Sequence, residues 1–215
     1  MKKITIVDYG SGNVLSAQKS FIKIAKDNNI EVDVLISKKL NDVKNSTHIV
    51  LPGQGAFSTC MNGLKKTDGL IDELSEFALI KKKPFLGICV GMQMLAKKSE
   101  ENGDHEGLGW IDGQIKLLPG DNLKLPHMGW NLVIPTNSKY NNLISTKNDY
   151  YFVHSYYFEC ADKDNILAET KYGTNFASIV GKENIYGVQF HPEKSSSQGL
   201  NLSLIHISEP TRPIR

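Results

Sequence analysis

The sequence predicts an α/β fold with a mostly parallel central sheet, flanking helices and a mixed or antiparallel extension. Three observations carry this expectation. In the first half, short β-branched runs alternate with amphipathic segments, the pattern that buries a parallel sheet between helices. In the second half, strand-like runs follow one another with little helix between them. The 215 residues, 40% of them hydrophobic, contain no internal repeat, linker or long polar block, so one compact domain accounts for them.

The elements follow in chain order. "KITIVD" reads as a strand, and in "NVLSAQKSFIKIAKDN" the residues Val14, Ala17, Phe21, Ile24 and Ala25 recur at helical spacing, which makes a βα unit. "EVDVLIS" is a second strand, and "HIVLP" is a third that ends in a glycine-rich turn. A helix through Leu70, Ile71, Leu74, Phe77 and Ala78 leads to the strand "PFLGI". Beyond it, "WIDGQIKLL", "HMGWNLVIP", "DYYFVHSYYFE", "ILAETKYG", "FASIVGK" and "IYGVQFHPE" read as strands, with ordinary turns between positions 119 and 142.

Composition excludes several functions. A net charge of +2 with lysines scattered among acids gives no nucleic-acid or membrane surface, and the apolar run near the N-terminus has only strand length. Three cysteines, at 60, 89 and 160, fit neither a disulfide framework nor zinc-site spacing, so a reducing cytoplasm is expected. The six histidines, at 48, 105, 127, 154, 191 and 206, include no close pair and no i, i+4 pair. No metal and no cofactor is expected.

Chemistry concentrates around Cys89. Gly87 and Gly91 flank it in the pattern GxCxG, where a strand ends and a helix begins, as in a nucleophile elbow. Alone, that pattern fits a packed thiol equally well. A cysteine nucleophile needs a base, and "QFHPE" supplies His191 with Glu193 two residues on, on the same side of an extended chain. The alternative for this pair is a strand histidine beside a solvated carboxylate. Negative charge on an attacked carbonyl needs donors, and in "LPGQGAF" Gly53 and Gly55 flank Gln54 at another strand end, where a backbone amide could join that of Val90 in an oxyanion hole. Taken alone, this too is a plain turn. Together, the three weak signals favour a nucleophile.

The combination resembles the class I, triad-type glutamine amidotransferases, in which PGxG, GxCxGMQ and HPE occur in this order, here as "PGQG", "GICVGMQ" and "HPE". "VDYGSGN", "PHMGWN", "VHSYY" and "HPEKS" are similar to the branch that serves as glutaminase subunits of imidazole glycerol phosphate synthase, and the likeness spans about residue 3 to about residue 202. The resemblance implies a flavodoxin-like fold. It also implies hydrolysis of L-glutamine to glutamate and ammonia through a cysteinyl thioester, with ammonia passed to a (β/α)₈-barrel cyclase partner in a heterodimer of histidine biosynthesis. On that reading Cys89, His191 and Glu193 form the triad, and the Gln54 and Val90 amides hold the oxyanion. Gly53, Gly55, Gln93, Ser155 and Tyr156 surround the glutamine, and Asn13, Trp130 and Lys194 face the partner.

Two features depart from the family pattern. Gln54 stands where valine is common, although the backbone amide does the chemistry. After "SSSQGLNL" the family continues an amphipathic helix, whereas "SLIHISEPTRPIR" carries Pro210 and Pro213 and resembles the translation of a transposase adapter. Residues 1–202 are therefore expected to form the amidotransferase domain, and 203–215 a foreign tail that leaves the sheet short of cover. A redox-sensing thiol on the same sheet, or a silent partner-binding subunit, are the competing classes. The first has no need of His191, Glu193 and the PGQG turn together, and the second should lack a triad member.

Overall fold

A computed structural model describes residues 1–120, 123–136, 147–196, 199, 201–202 and 206. The first half runs β1 (Lys2–Val7), α1 (Val14–Asp27), β2 (Val32–Ser37), α2 (Leu40–Lys44), β3 (His48–Gly53), α3 (Phe57–Lys65), α4 (Leu70–Ser75), β4 (Phe85–Cys89) and α5 (Val90–Gln93). In α1 the expected stripe is buried at Ala17, Phe21, Ile24 and Ala25, and the Asn13 side chain caps the first turn by accepting from the Ser16 amide at 3.2 Å. The helix expected through Ala78 stops being α-helical at Ser75 and widens into a π-turn over Glu76–Ile80, closed by the Lys81 amide donating to the Glu76 carbonyl at 2.9 Å. Sequence reading did not mark α2 or α3, although Phe57, Cys60, Met61 and Leu64, all buried in α3, carry the helical period.

The second half contributes β5 (Lys98–Ser99), β6 (His105–Glu106), β7 (Gly113–Leu117), β8 (His127–Pro135), β9 (Asn148–His154), β10 (Tyr156–Cys160), β11 (Ile166–Tyr172), β12 (Thr174–Lys182) and β13 (Ile185–Val188). Among the described residues the sheet runs β2-β1-β3-β4-β13-β12-β10-β7-β5-β6, with β11 on β12, β8 on β11 and β9 on β8. Strands β2, β1, β3, β4 and β13 are parallel neighbours. The pairs β12–β13, β10–β12 and β7–β10 are antiparallel, so the expected mixed extension is present.

Two strands sit differently from their place in the sequence pattern. "IYGVQFHPE", read with the extension, returns to lie parallel beside β4. "DYYFVHSYYFE" is broken at Ser155 into β9, which pairs with β8, and β10, which pairs with β7 and β12. Each break or return brings a functional segment to the carboxyl end of β4. Fully buried phenylalanines from both halves, among them Phe21, Phe57, Phe85, Phe152, Phe158 and Phe190, fill one continuous core.

At the C-terminus, Ser196, Gly199, Asn201, Leu202 and His206 are helical, and Leu202 and His206 are buried. The His206 ring meets Phe21 of α1 at 6.4 Å and His48 of β3 at 5.5 Å, both edge-on. His206 therefore packs against α1 and β3, within the stretch expected to leave the sheet short of cover. Residues 203–205 and 207–215, including Pro210 and Pro213, lie outside the described residues, as do parts of the turns expected between 119 and 142. Among the described residues, no helix is long and apolar enough to cross a membrane.

Candidate active site

Strand order places the reactive groups before any side chain is considered. In an open parallel sheet the crevice lies at the carboxyl ends of the strands. There, Gly53 is paired with Cys89 across β3 and β4, and Val188 with Ile88 across β4 and β13. The PGQG turn therefore flanks Cys89 on one side, and the run from Gln189 to His191 flanks it on the other.

Cys89 sits at φ 56°, ψ −115°, a left-handed conformation that side chains other than glycine's adopt at a cost of about 1–3 kcal/mol. The glycines around it are there because nothing larger fits. A Cβ on Gly87 would lie 2.5 Å from the Gly91 carbonyl oxygen, one on Gly53 would lie 2.5 Å from the Gly91 nitrogen, and one on Gly91 would collide with the Leu51 carbonyl oxygen. Gly53 is therefore packed against the first turn of α5. Gly55, at φ +95°, borders the open cavity.

That cavity, of about 360 Å³, is lined by Cys89, Val90, Gln93 and His191, and by Gln54 and Gly55 of the turn. Ser155 and Tyr156, from the break between β9 and β10, close another side. The Cys89 sulfur lies 3.9 Å from the Val153 carbonyl oxygen and 3.9 Å from Gln189 Nε2.

His191 is buried and held at both ends. Its amide donates to the Tyr151 carbonyl at 2.9 Å, and its Nδ1 meets Glu193 Oε1 at 2.9 Å. The alignment of these two side chains arises from a one-turn 3₁₀ helix over Pro192–Lys194, rather than from the extended chain expected, with the proline at the first helical position. With Nδ1 committed to Glu193, Nε2 is left for the sulfur. Burial pulls the ring toward the neutral form, but the Cys89 sulfur and the Glu193 carboxylate outweigh it and raise the His191 pKa to about 10. The site thus holds an imidazolium next to a sulfur.

A second line of buried groups stands behind the cavity wall. His154 Nδ1 donates to the Tyr156 carbonyl at 2.9 Å, His127 Nδ1 donates to His154 Nε2 at 2.9 Å, and Asn131 Nδ2 donates to His127 Nε2 at 3.1 Å. Burial lowers the pKa of His127 to about 4 and that of His154 to about 3, so both rings are neutral, as this one-way chain of donors requires.

Of the remaining expected residues, Asn13 and Trp130 do not line the cavity. Asn13 caps α1. Trp130 is 55% exposed on β8, on the same strand face as the exposed Met128, Leu132 and Ile134. Lys194, expected only at a partner surface, also lines the cavity, as does Glu101, which sequence reading passed over. Glu101 sits 12 residues past Cys89 in a loop without a motif, and only its position beside the α3 N-terminus, accepting from the Phe57 amide at 2.7 Å, brings it to the site. Among the described residues, no three His, Cys, Asp or Glu side chains converge into a metal-binding group.

A thiol and an imidazolium at one cavity, the imidazolium oriented by a carboxylate, suit acyl transfer at a carbonyl. The family model described as "Glutamine amidotransferase class-I" matches residues 5–204. The chain belongs to the class I glutamine amidotransferases. Among the curated relatives of this amidotransferase, the imidazole glycerol phosphate synthase subunit HisH of Rhodospirillum rubrum is 43% identical over 204 residues, covering 93% of this chain and 95% of the relative. The subunit of the same name from Pelagibacter ubique is 46% identical over 202 residues, covering 93% and 96%. In fold, the crystal structure of a glutamine amidotransferase superposes with TM-score 0.70 at 15% identity over 95% of this chain and 96% of that one. A glutamine amidotransferase from Thermotoga maritima gives 0.63 at 19% identity over 92% and 78%.

Proposed function

We propose that this enzyme is the glutaminase subunit of imidazole glycerol phosphate synthase, with Cys89, His191 and Glu193 as its triad. The observation that carries the mechanism is the meeting of Cys89 and His191 at one cavity, with Glu193 hydrogen-bonded to the His191 ring, and a cavity wall that also holds Glu101 and Lys194. Opposite charges on that wall suit the ammonium and carboxylate of an amino acid, and Gly55, Gln93, Ser155 and Tyr156 complete the enclosure. The chemistry follows from the protonation states. Cys89 thiolate attacks the side-chain carbonyl carbon of glutamine, and negative charge moves to the oxygen, where the Gln54 and Val90 amides are the nearby backbone donors. When the carbon–nitrogen bond breaks, His191 gives its Nε2 proton to the leaving ammonia. A γ-glutamyl thioester remains. Neutral His191 then takes a proton from water, hydroxide adds to the thioester, and glutamate leaves as the thiolate is restored.

Ammonia released into neutral water is protonated and lost as a nucleophile, which supports direct delivery to a (β/α)₈-barrel cyclase subunit in histidine biosynthesis. The exposed apolar face of β8, which carries Trp130, is the surface we assign to that partner, and Asn13 and Lys194 are assigned to the same interface. A cytoplasmic location is consistent with Cys60, Cys89 and Cys160 all being free. The direct test is glutamate release in the reconstituted complex, together with labelling of Cys89 by a glutamine-like electrophile. Release and glutamine-protected labelling are expected, and absence of both would overturn the assignment.

A pH profile tests Glu193. The imidazolium is the acid that releases ammonia, so activity should persist to alkaline pH and fall as His191 loses its proton, at about 10. In Glu193→Gln the hydrogen bond survives and the anion does not. Because an anion favours the protonated ring, its removal lowers the His191 pKa, and the alkaline limb should move down by roughly one unit or more. The measurement is kcat against pH for glutamine hydrolysis; an unmoved limb would deny Glu193 its electrostatic role.

A further inference from the structure

Gln189 is fully buried one residue past β13, and its backbone amide is tied to the Ser178 carbonyl at 2.9 Å. Register brings it level with Cys89. Its side chain closes a line of hydrogen bonds whose direction is dictated from the far end. The Tyr156 carbonyl can only accept. It takes a hydrogen from Gln93 Nε2 at 3.0 Å, which fixes the orientation of the Gln93 amide. The same Nε2 donates to Gln189 Oε1 at 3.1 Å, which fixes the second amide and leaves Gln189 Nε2 facing the Cys89 sulfur at 3.9 Å. His154 Nδ1 donates to the Tyr156 carbonyl from the other side at 2.9 Å, filling the second lone pair of that oxygen. Turning the Gln93 amide would place its oxygen against the Tyr156 carbonyl oxygen, and turning the Gln189 amide would place its nitrogen against the Gln93 nitrogen, donor against donor. A donor is therefore held toward the sulfur.

We propose that Gln189 is a catalytic residue of this amidotransferase, donating from Nε2 to the Cys89 thiolate, with Gln93 and the Tyr156 carbonyl as positioning groups that set the direction of its amide. The proposal rests on the glutaminase reading above. A donor to the thiolate stabilises sulfur when it carries negative charge: before attack, and again as the carbon–sulfur bond of the tetrahedral intermediate breaks and the electron pair returns to sulfur. In the thioester itself the sulfur is neutral and the bond is weak. Gln189 therefore assists the departure of the thiolate during thioester hydrolysis.

The test uses the full chain in complex with its partner, with Gln189→Met and Gln189→Leu, which fill similar space without a donor. Both should lower kcat for glutamine hydrolysis by about 10- to 100-fold, the worth of a hydrogen bond to a charged group. Acid-quenched samples should show glutamyl-enzyme accumulating relative to wild type by intact mass. Gln93→Met, which releases the Gln189 amide from its fixed direction, should give the same accumulation with a smaller loss of kcat, and it answers the question if the Gln189 variants fail to fold. A kcat that falls only in proportion to the folded fraction, with no added glutamyl-enzyme, would overturn the proposal while leaving the glutaminase reading intact. Absence of glutamate release from the wild-type complex would overturn both.

Discussion

Cys89→Ala is expected to abolish glutamine-dependent synthesis by the complex, a loss of roughly four orders of magnitude or more, while synthesis from an added ammonium salt continues. The two activities separate because the thiol serves only to generate ammonia, and the partner's chemistry begins once ammonia arrives. Alanine accepts the position without new contacts, since the substitution removes one buried atom from a residue that is 3% exposed and leaves the strained backbone carrying a Cβ as before. Assembly should survive. The measurement is product formation by the reconstituted complex with glutamine and, separately, with ammonium chloride. Loss of both would mean that the elbow is needed for docking and that the separation argued here is wrong. A spectroscopic corollary follows from the sulfur's place beside the ring: without it, only Glu193 opposes the effect of burial, so the His191 pKa should fall below its value of about 10.

The parts of the site that the sequence made legible are those in which local sterics dictate residue type. Gly87 and Gly91 around Cys89 could be read because a strand that turns sharply into a helix has no room for a Cβ at those positions, and the structure gives each of them a backbone neighbour in the way. His191 and Glu193 could be read because they are two residues apart, although a 3₁₀ turn and not an extended chain aligns them. What stayed hidden depends on pairing between distant segments. Nothing in "DYYFVHSYYFE" marks Ser155 as the point where the chain passes from β8's partner to β7's, since strand-favouring aromatic residues lie on both sides of it; the break is set by which strands are available to pair. Glu101 and Gln189 are hidden for the same reason, because one reaches the cavity through a capping contact to α3 and the other comes beside the Cys89 sulfur through the parallel return of β13 beside β4. The fold class was legible from alternation alone. The order of its strands was not, because hydrophobic periodicity identifies a face and not a neighbour.

Gly91→Ala is expected to cost more than about 3 kcal/mol of folding stability, a large share of the roughly 5–15 kcal/mol available to a domain of this kind. The added Cβ meets the Leu51 carbonyl oxygen and not a flexible side-chain end. Leu51 belongs to β3, a central strand paired on both sides, so it cannot retreat without disturbing its registers with β1 and β4. Nor can α5 back away, because Gly53 and Gly87 already pack against the Gly91 backbone at distances that admit no Cβ of their own. Gly55→Ala provides the contrast. A Cβ there meets nothing within 4 Å, and the cost is limited to the backbone strain of φ +95°, about 1–2 kcal/mol. Urea unfolding of the two variants should therefore separate them clearly, with Gly91→Ala far the less stable. Equal losses would show that the β3–α5 contact yields more easily than a pair of backbones at van der Waals contact should. The consequence reaches catalysis because the contact that forbids a side chain at Gly91 also fixes where α5 begins, and so where the Val90 amide lies relative to Cys89. A variant that restored stability by shifting α5 away from β3 would carry that amide with it and should lose activity even when fully folded.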